Sequence, residues 1–198
     1  MENVITLILT FIAFFICLSV HEAAHSFIAD KLGDPTSKHE GRLSLNPLRH
    51  IDLFGTILLP LFLIISGLPA FGWAKPVMVN IYNFKNPARD HFLTALSGPA
   101  SNLIFAVILG VIVGLIPSLS FLTILIRINV ILALFNLLPI PPLDGSKIWH
   151  LVLSEESYFN LERYGPFILI AFLLLFGSGA DFLFNLGDSL SNAIIHLI

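Results

Sequence analysis

Residues 4–29 read VITLILTFIAFFICLSVHEAAHSFIA, a mostly apolar run long enough to cross a bilayer. A hydrocarbon core about 30 Å thick takes about 20 residues of helix. No water is present there to satisfy peptide groups, so a crossing segment must be a helix or part of a closed barrel. This requirement constrains the chain more than any other feature. Further apolar runs occupy 53–73, 91–116, 119–138 and 164–179. Only 12% of residues are charged and 56% are hydrophobic, whereas a soluble domain carries about 25% charged residues. The sequence predicts an all-α polytopic membrane protein, a helical bundle of about five to six membrane segments. Residues 1–198 should form one integral membrane domain, with a core over 4–150 and C-terminal membrane segments over 164–198.

The runs are not equivalent. Segment 53–73 contains Gly55, Pro60, Gly67 and Pro69, so it should kink or enter and turn back. The following AKPVMVNIYNFKNPARD (74–90) has short β-branched pieces bounded by Pro and Asn. It predicts extended chain, a small hairpin near 70–82. Residues 148–163 carry Glu155, Glu156 and Glu162 and read as interfacial. The N-terminus lacks the basic region and small-residue cleavage site of a signal peptide, so the first segment should be retained. Cys17 is the only cysteine, which excludes an intramolecular disulfide and a cysteine-based metal cluster. The net charge of −3 points to no nucleic acid partner; the expected surroundings are the lipid bilayer.

Lysine and arginine set the orientation. Lys31, Lys38, Arg42 and Arg49 lie in the 30–52 loop, and Lys75, Lys85 and Arg89 lie in 74–90, whereas 117–120 has none. Both basic loops should face the cytoplasm of a multi-pass cell-membrane protein. Segment 53–73 must then begin and end on the same side.

Ionisable groups are costly in hydrocarbon and usually functional there. His21, Glu22 and His25 spell H-E-x-x-H inside the first run. On a helix, residues four apart share a face, so both imidazoles can address one ion. Neutral imidazole nitrogen suits zinc, and the adjacent Glu22 can act as general base on the attacking water. Such a site takes a third protein ligand. His39, His50 and His91 lie at segment ends and read as surface groups. His150 and His196 are candidates, and Asp144 is the best one. It follows Pro139, Pro141 and Pro142, which stop the helix and allow a carboxylate to turn back into the bundle. A plain turn is the competing reading of Pro-Pro-Leu-Asp-Gly. If 53–73 re-enters, Asp144 lands on the same side as the histidines; if it spans, Asp144 cannot meet them.

H-E-A-A-H (21–25), SGPASN (97–102) and NLLPIPPLDG (136–145) together resemble the site-2 protease family of intramembrane zinc metalloproteases, over about residues 18–150. GRLSLNPLRHID and FGWAKPV are similar to the small bacterial and archaeal members without a PDZ domain. The resemblance implies His21, His25 and Asp144 as ligands of one Zn2+ and Glu22 as catalytic base. It implies a place near the metal for Asn136, where it could bind substrate backbone or an oxyanion. Asn102 also matches a family position, for which packing beside Gly98, Ala100 and Ser101 is the simpler role. FGWAKPV corresponds to an extended groove-lining segment, although Trp73 and Lys75 also suit interface anchors. The second glycine expected after Asp-Gly is Ser146 here. The activity implied is hydrolysis of peptide bonds within or near transmembrane segments of protein or peptide substrates, with the site toward the cytoplasm. A membrane metal transporter or sensor using the same ligands is the alternative, and it would need more polar residues along its spans.

Overall fold

The computed structural model describes residues 2–58, 61–62, 65–66, 75–175 and 177–196. The long helices are α1 (Glu2–Leu32), α3 (Pro87–Leu115), α4 (Thr123–Asn136), α5 (Glu155–Leu175) and α6 (Gly177–Ile195), with a single turn α2 at Thr36–His39. Among the described residues three stretches are long and apolar enough to cross a membrane: Ile8–Leu32, Pro87–Leu115 and Pro117–Asn136. The chain is thus helical as expected. No strand occurs among the described residues. Of the hairpin expected near 70–82, residues 70–74 lie outside them; 75–80 has no regular secondary structure and is followed by a 3-10 turn at Ile81–Asn83. Segment 53–73 begins as a π-helical turn at Leu53–Leu58 and is then only partly described.

The end of α1 is dictated locally. Gly33 adopts φ +113°, a conformation open to glycine and costly for other residues. The Gly33 N–H donates to Asp30 (3.3 Å) and the Asp34 N–H to Ala29 (2.8 Å). This is the paired closure of a Schellman stop.

Side-chain pairings fix the helix directions. His25 meets Thr94, His21 meets Asn102, and Asn102 also reaches Cys17. Ascending α3 therefore descends α1, and the two are antiparallel. The end of α1 and the start of α3 lie together, so residues 33–86 leave and return at one end. Cys17 contacts the Leu125 carbonyl and Asn129 near the start and middle of α4, and Asp144 beyond its end meets His21, so α4 runs parallel to α1 and delivers its C-terminus to the histidine end. Ala106, Leu109 and Val113 of α3 pack on Ile126 and Val130 of α4 as the apolar core. The polar site sits at the opposite end of the same interface.

Candidate metal centre

His21 and His25 stack edge to face, with centroids 4.6 Å apart, and both are buried. Each ring is held from behind by α3. His21 Nδ1 donates to Asn102 Oδ1 at 2.6 Å, and His25 Nδ1 donates to the Thr94 carbonyl at 2.8 Å. Holding the proton on Nδ1 turns the Nε2 lone pair outward, the usual device for orienting a metal-binding histidine. Asn102 is itself fixed: its Nδ2 donates to the Cys17 carbonyl (3.1 Å) and to Asn129 Oδ1 (2.6 Å). Asn129 in turn donates to the Leu125 carbonyl (2.8 Å) and to Cys17 Sγ (3.0 Å).

Close approach depends on Gly98. A Cβ there would fall 2.5 Å from His25 Nε2 and 2.7 Å from His21 Cε1, closer than real side chains come. The following Pro99 has no N–H to return to the Ala95 carbonyl, so this turn of α3 is one hydrogen bond short. The neighbouring Thr94 carbonyl accepts from His25 and from Ser97 Oγ.

The chain after α4 bends through Pro139–Pro142 and begins a 3-10 helix at Asp144, spanning Asp144–Leu151. Asp144 Oδ2 lies 3.0 Å from His21 Nε2 and 3.4 Å from His25 Nε2. Three ligand atoms, one from each residue, lie within 4.8 Å of one another. With both Nδ1 protons already engaged, the two lone pairs and the carboxylate face one another with no donor among them. Without a cation a proton must bridge them, whereas one dipositive ion satisfies all three. Two imidazoles and one carboxylate suit zinc and leave a fourth position for water.

Glu22 is buried, and its Oε2 accepts from the Val77 N–H at 3.1 Å. Segment 75–80 is thereby tied to the end of α1, with further anchors from Lys75 N to the His50 carbonyl and from Asn80 N to Asp34 Oδ2. A groove of about 310 Å³ opens beside Asp144, lined by Phe92, Leu96, Pro99, Leu137 and Ile148.

Other expectations fare differently. His150 is no ligand of this trio; it stacks on Tyr158 at 4.3 Å and faces His91 Nδ1 at 3.4 Å. His196 lies exposed near the end of α6. His50, expected at the surface, is fully buried, with Nε2 donating to the Ser44 carbonyl. Asn136 donates to the Leu132 carbonyl of its own helix, at 3.0 Å. Asn102, expected mainly to pack, holds His21. The Thr94 contact uses a backbone carbonyl and has no sequence signal.

A model described as Peptidase family M50 matches residues 114–176. YwhC of Bacillus subtilis, provisionally named a zinc metalloprotease, is 39% identical over 186 residues, covering 87% of this chain and 78% of its own. The chain belongs to peptidase family M50. It is also similar to Rip2 of Mycolicibacterium smegmatis, 30% identical over 179 residues (84% of this chain, 67% of that one). Rip2 of Mycobacterium tuberculosis H37Rv is 32% identical over 171 residues, 81% of this chain and 63% of that one. Both carry the same provisional zinc metalloprotease name. No solved structure matches the chain. Membership in M50 makes this protein a zinc metalloprotease, and among its described residues three helical stretches are long and apolar enough to cross a membrane.

Proposed function

We propose that this M50 protein cleaves peptide bonds within or near the transmembrane segments of membrane-protein substrates, as one domain over 1–198. His21, His25 and Asp144 hold the ion. The observation that carries this reading is the meeting of those three ligand atoms, one of them on Asp144 in the lining of an apolar groove.

A peptide bond in a transmembrane helix is hidden by its own hydrogen bonding, so the substrate must unwind locally. Its apolar side chains then find Phe92, Leu96 and Ile148 in the groove, and its freed backbone can pair along segment 75–80. Bound zinc supplies Lewis acidity at the scissile carbonyl and makes water acidic enough to lose a proton near neutrality. Glu22 accepts that proton and returns it to the leaving amine nitrogen. Asn136, once released from the Leu132 carbonyl, donates to the developing oxyanion. The basic loops put the site toward the cytoplasm, and the five to six membrane segments include α5 and α6.

The test is zinc content and cleavage of a generic transmembrane reporter in liposomes, for the natural chain and Glu22→Gln together. About one zinc per chain in both, with cleavage only by the natural chain, is expected. Full cleavage by Glu22→Gln removes Glu22 as base. Zinc with metal flux but no cleavage by the natural chain favours the transport reading.

A further inference from the structure

The two sides of the metal centre are built differently. The histidines share one helix, and each has its Nδ1 bonded to α3. Asp144 begins a short 3-10 helix after three prolines that donate no backbone hydrogen bonds. The local bonds at this bend, Leu143 N to the Ile140 carbonyl and Ser146 N to the Leu143 carbonyl, close the turn on itself. They do not fix its place in the bundle.

α3 supplies most of the packing that places this segment, and one face of α5 adds specific side-chain contacts to it. Lys147 Nζ donates to Glu162 Oε1 at 2.8 Å, and Ser146 Oγ lies 3.4 Å from the same oxygen. One turn earlier on α5, Tyr158 stacks on His150 with the planes 11° apart. One turn later Gly165 abuts Pro141, where a Cβ would come within 2.9 Å of the Pro141 carbonyl carbon and oxygen. Positions 158, 162 and 165 follow the four-then-three spacing of one helix face. That face grips the ligand-bearing segment at its bend, just after Asp144 and at its far end. Lys147 and Glu162 are mostly shielded, at 15% and 25% side-chain exposure. A carboxylate is not placed there without cost.

We infer that Glu162 is a positioning residue that holds Asp144 in register with His21 and His25 through Ser146 and Lys147, so that α5 tunes zinc affinity although it contributes no ligand. This rests on the ligand set proposed above. Removing an outer partner of a metal ligand typically costs about 10–100-fold in affinity.

The experiment measures zinc affinity of the purified full-length chain by chelator competition, and the visible spectrum after Co2+ substitution. Glu162→Ala and Lys147→Glu should each weaken zinc about 10–100-fold and alter the Co2+ bands. The combined Lys147→Glu, Glu162→Lys exchange should recover much of the affinity. Glu156→Ala, at an exposed position of the same helix, should leave both readouts unchanged. Wild-type affinity and spectrum in Glu162→Ala overturn the inference. So does an exchange variant no better than either single variant, because loss without rescue marks general destabilisation. A natural chain that binds no zinc overturns the ligand assignment instead, and the inference with it.

Discussion

The Nδ1 of His21 and the Oδ1 of Asn102 lie 2.6 Å apart, joining α1 to α3 directly behind the candidate ligand atom. Asn102 can serve only because its amide nitrogen is committed to the Cys17 carbonyl and to Asn129. A buried amide with every polar atom occupied is rigid and costly to disturb.

Asn102→Leu should therefore keep the helices packed but free the His21 ring. We expect zinc affinity to fall about 10–100-fold, as measured by chelator competition. Asn102→Asp keeps an acceptor for His21 but turns a carboxylate oxygen onto the Cys17 carbonyl and Asn129 Oδ1, so it should lose affinity as well. Wild-type affinity in Asn102→Leu would mean that the His21 ring is held without this acceptor.

Gly98→Ala adds one methyl group where both imidazoles already press on α3. The rings must move or the helices must part, and overpacking of this kind costs about 1–3 kcal/mol. Lower thermal stability and loss of bound zinc are expected together. Normal zinc content in Gly98→Ala would show that the helices separate without disturbing the ligands.

Leu96→Trp should fill the groove beside Asp144 without touching a ligand atom. We expect unchanged zinc content and a kcat/KM at least about 10-fold lower for substrates with a bulky apolar residue next to the scissile bond. Unchanged kinetics would place the substrate elsewhere.

Asp34 is fully buried beyond the end of α1. Burial raises its carboxyl, and hydrogen bonds from Thr36, Asn83 and Asn80 outweigh this and lower it. A depressed folded pKa means that the stabilisation is present above the unfolded value of about 4 and is lost as pH falls through the folded value. Asp34→Ala should cost about 1–3 kcal/mol near neutral pH, because several donors lose one acceptor. The stability gap from the natural chain should narrow in melts below about pH 4. A gap independent of pH would assign the loss to packing alone.

Much of this arrangement was legible before any coordinates. The H-E-x-x-H spacing needs only a helix to align its imidazoles, and hydrocarbon guarantees that helix. The uneven distribution of lysine and arginine required 53–73 to begin and end on one side, and the antiparallel α1 and α3 bring the chain before and after it to one end. Asn136 bonds to the Leu132 carbonyl of its own helix, a contact that its motif position did not announce. His50 shows another, since a polar residue in a basic loop proves fully buried.

The sequence by itself determined the helical membrane class, the paired imidazoles and the bend that frees Asp144, because these follow from local periodicity and backbone chemistry. Only the tertiary structure decided that Thr94 and Asn102 hold the histidines, that Val77 bonds Glu22 and that α5 braces the Asp144 turn. Those partners are joined by backbone groups or by side chains far apart in the chain. Such pairings carry no spacing rule, and close packing of the helices alone selects them.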